Sequence, residues 1–153
     1  MTYSKEALSL FAILRDTTAL DGTAYFELHP GEIPEPFACW LEGSIFIRDA
    51  GFDFLVECFC RANPKFDYFA FERFDLAQLD NVSAELSAFL SMLVPGCQRE
   101  AVFANYGSLF SREIWKDVPT EPLRDALSGA TASVLEFVQL TRTEHESLWV
   151  LGM

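Results

Sequence analysis

A chain of 153 residues has the length of one domain, and about two thirds of its unfolded surface can be buried without disulfides or a structural metal. Half of the residues are apolar, with 15 Phe, 4 Tyr and 3 Trp among them, which excludes a disordered chain. The formal charge of −12, spread along the length rather than gathered in a tail, argues against nucleic acid and anionic membrane surfaces as partners and for a strongly basic protein.

In chain order, Leu8, Phe11 and Ile13 or Leu14 recur at helical spacing behind Ser4, so the first helix is predicted from Ser4 to about Thr17. The apolar run at 7–14 is as short as a signal-peptide core. Glu6 before it, Arg15-Asp16 after it and the lack of a small-x-small cleavage pattern favour an amphipathic helix instead. No stretch approaches the roughly 20 apolar residues that span a bilayer. The expected compartment is therefore the cytoplasm, with Cys39, Cys58, Cys60 and Cys97 as reduced thiols.

Gly22, Pro30, Gly31, Pro34 and Pro36 then surround one short β-prone run, Thr23 to Leu28. From Phe37 to Phe74 the pattern becomes short β-rich runs between turn signals: Ala38 to Arg48, Phe54 to Arg61 and Asp67 to Phe74. They predict an antiparallel meander. Asp75 with Gln78 reads as a capping-box variant, followed by Leu79, Val82, Leu86, Phe89, Leu90 and Leu93 at helical spacing until Pro95-Gly96. Glu100 to Asn105 reads as a strand or a connector, and Ser111 to Lys116 as a helical turn. A last helix starts at Thr120-Glu-Pro122 and carries Leu123, Leu127, Ala130, Val134, Phe137 and Val138, with a possible break at Gly129 and a final strand at Leu148 to Leu151. No repeat or linker divides the chain. The expectation is one α+β domain over residues 1–153: an N-terminal helix, an antiparallel meander of about four to five strands, and C-terminal helices packed on the sheet.

The chemistry-bearing residues are sparse. Cys58 and Cys60 are one residue apart on a predicted strand, where they share a face with Phe54 and Val56. Zinc sites draw ligand pairs spaced by two to four residues on turns, and Cys39, Cys97, His29 and His145 are scattered singly, so the sulfurs are assigned to packing. No metal or cofactor is expected, and no nucleophile elbow, phosphate loop or dinucleotide fingerprint occurs.

The other face of the predicted hairpin is more informative. It carries Leu55, Glu57, Phe59 and Arg61, joined by Phe66, Tyr68, Ala70 and Glu72 if the Asn63-Pro64-Lys65 turn is a two- or four-residue loop; a three-residue loop reverses the parity. Aromatic bodies beside carboxylates suit a partner presenting Lys or Arg. The partner-binding residues are therefore expected to be Glu57, Phe59, Tyr68 and Glu72, with Asp49 and Asp53 adding acidic groups. A helix covering this face is the competing expectation.

The stretch GFDFLVECFCRANPKFDYFAFERFDLAQL, in a small acidic chain without a catalytic motif, resembles the immunity proteins of bacterial toxin systems. That resemblance implies a non-enzymatic protein that neutralises a cognate toxin, often a basic nuclease, with acidic and aromatic groups. It carries over no individual residue. The alternative expectation is a small-molecule-binding or enzymatic α+β cone around an aromatic-lined pocket.

Overall fold

The computed structural model describes residues 2–34, 39–106 and 112–152. Within them the chain forms α1 (Thr2–Leu8), β1 (Tyr25–Pro30), β2 (Ile45–Arg48), α2 (Asp49–Phe52), α3 (Val56–Ala62), β3 (Phe71–Asp75), α4 (Leu76–Met92), α5 (Arg99–Tyr106), α6 (Arg112–Trp115), α7 (Thr120–Glu144) and β4 (Ser147–Leu151). The four strands make one antiparallel sheet in the order β2-β1-β4-β3, so the architecture is α+β. The order is set by β4, which inserts between β1 and β3 instead of adding at an edge.

Alternation along the strands sorts their side chains between two faces. Phe26, Leu28, Ile45, Ile47, Phe74, Leu148 and Val150 share the face that joins the helical core. Tyr25, Glu27, Phe46, Arg48, Arg73 and Trp149 lie on the opposite face, as the register pairs Tyr25 with Arg48, Glu27 with Phe46, and Arg73 with Trp149.

On the helical side, α4 packs along α7, and both meet the sheet. The α4 start follows the capping box read from the sequence: Gln78 N–H donates to Asp75 Oδ1 at 2.8 Å, and Asp75 N–H to Gln78 Oε1 at 2.9 Å. Helix α7 runs unbroken for 25 residues through Gly129. No helix among the described residues is long and apolar enough to cross a membrane.

Aromatic rings fill the space between the layers. Phe26 stacks on Phe52 at 4.3 Å, Phe59 lies 5.3 Å from Phe52 and 5.5 Å from Phe74, and Phe11 stacks on Trp115 at 4.5 Å. Such pairs add about 0.5–1.5 kcal/mol each beyond burial. The rings pack on one another across the layers.

Four segments differ from the sequence expectation. Phe54 to Arg61 is not a strand: Val56–Ala62 is helix α3, packed against α4, with Val56, Cys58 and Phe59 buried. Of Ala38 to Arg48, only Ile45–Arg48 is strand, residue 38 lying outside the described residues; of Asp67 to Phe74, strand begins at Phe71. Glu100 to Asn105 belongs to helix α5. The helical turn expected at Ser111 to Lys116, by contrast, is present as α6, Arg112–Trp115, with Ser111 outside the described residues.

The first helix is also short. After Leu8 the chain makes a 3-10 turn (Ser9–Phe11) and then extends, because Leu14 pairs with Phe46 through two backbone hydrogen bonds of 2.8 and 2.7 Å. A continuous helix would leave that edge of β2 uncovered. The same segment is pressed onto α2, where a Cβ at Gly51 would lie 2.2 Å from the Leu10 carbonyl oxygen.

Candidate functional site

The connection from α3 to β3, residues 63–70, is shaped by side chains that cap their own backbone. Lys65 N–H donates to Asn63 Oδ1 at 3.1 Å, and Phe69 N–H to Asp67 Oδ1 at 2.9 Å. Asp67 N–H in turn reaches Glu72 Oε1 at 3.3 Å. These bonds hold Phe69 outward, with 70% of its surface exposed, the most of any exposed large apolar side chain among the described residues.

Beneath it the connection is rigidly seated. The Tyr68 ring meets Phe69 edge-on at 5.0 Å and Phe26 of the core at 4.7 Å. Gly152, just past β4, passes so close that a Cβ there would sit 2.1 Å from the Tyr68 carbonyl oxygen. Burial raises the Tyr68 phenol above its ordinary pKa, and the carboxylates of Asp53 and Asp49 push it further in the same direction.

The residues expected to meet a partner therefore divide. Asp49, Asp53, Tyr68 and Glu72 are gathered around this connection, but Asp53 is 1% exposed and lies under the surface. Glu57 and Phe59 do not share a sheet face with Tyr68 and Glu72, because α3 is a helix. Phe59 is fully buried, 6.3 Å from Phe66. Glu57 lies 3.3 Å from Arg61, whose guanidinium also reaches Glu85, donates to the Asn105 carbonyl at 2.6 Å, and lies 4.4 Å above the Tyr106 ring. That cluster joins α3, α4 and α5. Phe69 itself escaped the sequence reading, since nothing in its neighbours' identities marks one Phe among 15 as exposed.

A second polar constellation lies on the opposite face of the sheet. Glu27 is fully buried, yet three donors converge on it: Trp40 N–H on Oε2 at 2.7 Å, Leu41 N–H on Oε1 at 2.7 Å, and the Ser44 hydroxyl on Oε1 at 2.8 Å. His29 Nδ1 lies 2.9 Å from the same hydroxyl. The single hydroxyl hydrogen goes to Glu27, so Nδ1 carries the hydrogen of that contact. Burial lowers the His29 pKa, against an opposing pull from Glu27.

Serine, histidine and glutamate together invite comparison with a hydrolase triad. There the imidazole stands between hydroxyl and carboxylate, ready to take the hydroxyl proton. Here the hydroxyl stands between them, and Ser44 is 2% exposed, so the arrangement anchors the chain after β1 rather than activating a nucleophile. Glu32 fixes the same segment elsewhere, accepting from Arg73 Nε at 2.7 Å, Ser147 Oγ at 2.9 Å and Trp149 Nε1 at 3.0 Å.

No group of three or more His, Cys, Asp or Glu among the described residues is placed to hold a metal. The cysteines are free; Cys58 is buried while Cys60, two positions on along the helix, is half-buried. No family model, no curated protein and no solved structure matches the chain.

Proposed function

We propose that the protein is a non-enzymatic binding module that captures a basic protein through the surface around Phe69, in the manner of the immunity proteins of bacterial toxin systems. The observation that carries the reading is Phe69 itself. A large ring, mostly in solvent on a backbone that Asp67 caps, is surplus to the core and sits among carboxylates in a chain of net charge −12. Aromatic anchors on a rigid support commonly dominate binding energy, and a surrounding acidic field raises the rate of encounter with a basic partner. Asp67 and Glu72 supply the charge nearest the ring, and Asp49 extends it toward Tyr68.

The test is affinity capture from the source cell's lysate with the intact chain, repeated with Phe69→Ser and Asp67→Lys. The reading requires a basic protein that is held at low salt, released at high salt, and lost with both variants. Equal recovery of the same proteins by all three chains would sink it.

A further inference from the structure

The arginines of this acidic chain whose side chains are described are nearly all engaged. Arg48 pairs with Asp21, Arg61 with Glu57 and Glu85, Arg73 with Glu32, Arg124 with Asp125 and Arg142 with Asp80, while Arg99 donates to the Val118 carbonyl at 2.6 Å. Among the arginines whose side chains are described, Arg15 alone has neither an ion pair nor a hydrogen bond. Its place is nonetheless fixed, because the adjoining Leu14 is bonded to the edge of β2.

Arg15 stands where two surface clefts meet. One, of about 510 Å³, is bounded by Trp40 and Glu42; the other, of about 250 Å³, by Pro30, Phe137, Leu140 and Glu144; both share Arg15 and Gly43. The wall carrying Trp40 is built under strain. Trp40 has φ 58°, a left-handed conformation that costs a bulky residue on the order of 1–3 kcal/mol and persists only where surrounding structure enforces it. Buried Glu27 enforces it here by taking the N–H groups of Trp40 and Leu41. The neighbouring cleft exposes Leu140 over half its surface beside Phe137.

An exposed guanidinium that meets no acceptor of its own chain suits a carboxylate or phosphate. Asp16, Glu42 and Glu144 line the same clefts and repel a dianion, which favours a monocarboxylate. They also favour a cation on the same ligand, and Glu42 and Trp40, which line one cleft, are residue types that suit an ammonium.

We propose that Arg15 and the two clefts it joins bind a small zwitterion, a free amino acid with an apolar side chain. The carboxylate rests on Arg15, the ammonium between Glu42 and Trp40, and the side chain against Leu140 and Phe137. None of the residues around Phe69 takes part, so the site stands or falls independently of the protein-binding surface.

The experiment is a nitrogen-15 NMR titration of the full chain with L-phenylalanine up to about 10 mM, the weak end of specific binding. The Trp40 indole and Arg15 Nε resonances report. Phenethylamine, which lacks the carboxylate, and hydrocinnamate, which lacks the ammonium, are the comparison probes, and Arg15→Gln is the variant. Saturable shifts with phenylalanine, weakened at least about tenfold for each comparison probe and for Arg15→Gln, are expected. Absence of saturable shifts, or equal affinity in Arg15→Gln, overturns the site. Hydrocinnamate binding as tightly as phenylalanine overturns the zwitterion assignment. Because Arg15 is exposed and unbonded, its replacement leaves the spectrum of the rest of the chain as the check on folding.

Discussion

The backbone N–H of Trp40 lies 2.7 Å from the buried carboxylate of Glu27, thirteen residues earlier in the chain. A residue in an unfavourable backbone conformation is thus fastened by a charge that has no contact with water. Each group depends on the other: the carboxylate needs donors to be tolerated in the interior, and the strained turn needs an acceptor.

Replacing Glu27 therefore disturbs more than one bond. Glu27→Ala leaves the Trp40, Leu41 and Ser44 donors without their acceptor, at about 1–3 kcal/mol for each that water does not reach. Glu27→Gln supplies one oxygen but turns an amide NH₂ toward a backbone N–H, and is expected to cost about 1–3 kcal/mol. Urea denaturation monitored by far-UV circular dichroism measures both; an unchanged midpoint for either would show that the network does not anchor the segment.

Phe69 and Phe59 separate binding from stability. Phe59→Ala empties a fully enclosed site between Phe52 and Phe74 and is expected to cost about 3–5 kcal/mol. Phe69→Ser removes a ring that is 70% exposed and is expected to change stability by no more than about 0.5 kcal/mol. Paired thermal melts of the two variants provide the comparison, and a large loss for Phe69→Ser would mean that the ring serves packing rather than recognition.

The glycines yield a contrast in sign. A methyl group at Gly51 would meet the Leu10 carbonyl oxygen at 2.2 Å, a backbone atom that cannot step aside, so Gly51→Ala is expected to destabilise severely. At Gly129, in the interior of α7, nothing lies within 4 Å of such a group. Gly129→Ala is expected to stabilise by about 1 kcal/mol through helix propensity alone. Chemical denaturation of both variants checks the opposite signs.

Burial pushes the Cys58 thiol up to about 12, with Glu85 and Glu57 adding to the shift and Arg61 opposing it. The ordinary value is about 9, so the folded protein holds this proton more tightly than the unfolded chain does. The resulting stability is fully present below pH 9 and is lost as the pH rises toward 12. In Cys58→Ala the alkaline limb of the stability profile is expected to be shallower than in wild type. Superimposable limbs between pH 9 and 11, followed by denaturant titration, would exclude the thiol as a source of alkaline instability.

Legibility in the sequence followed the kind of interaction that sets each element. Helix α4 announces itself because its cap is made by two side chains, Asp75 and Gln78, and because one face alone is buried, leaving Leu79, Val82, Leu86 and Phe89 at helical spacing. Helix α3 does not. Its flank and body, Phe54 to Cys60, are apolar at every position but Glu57, because the segment packs on α4 and sends Phe59 to Phe74 of β3, so no helical period survives and β-prone side chains dominate. The short first helix escaped for a related reason: its end is dictated by a distant strand, through Leu14 and Phe46. The assignment of the sulfurs of Cys58 and Cys60 to packing rested on a predicted strand as well as on scattered partners; in the helix the two diverge, Cys58 buried and Cys60 half-buried.

The candidate site was legible only in its ingredients. Acidic and aromatic residues between 49 and 72 stood out, and Tyr68, Glu72 and Asp49 do gather near one surface. Glu57 was drawn away because a helix places it one turn from Arg61. Glu27 was invisible because two of its three donors are backbone N–H groups, which every residue but proline carries and which no side-chain pattern reveals.

The position of β4 has a consequence for biosynthesis. The strand joining β1 to β3 is made only after the whole of α7. At ordinary ribosomal rates the β1–β2 hairpin waits on the order of ten seconds with the inner edge of β1 lacking its neighbour. During that interval the nascent chain offers an apolar strand edge, bearing Phe26 and Leu28, to any other strand within reach. Closure of the sheet thus waits on the emergence of α7 and β4, and until then that edge stays open to pairing with other chains.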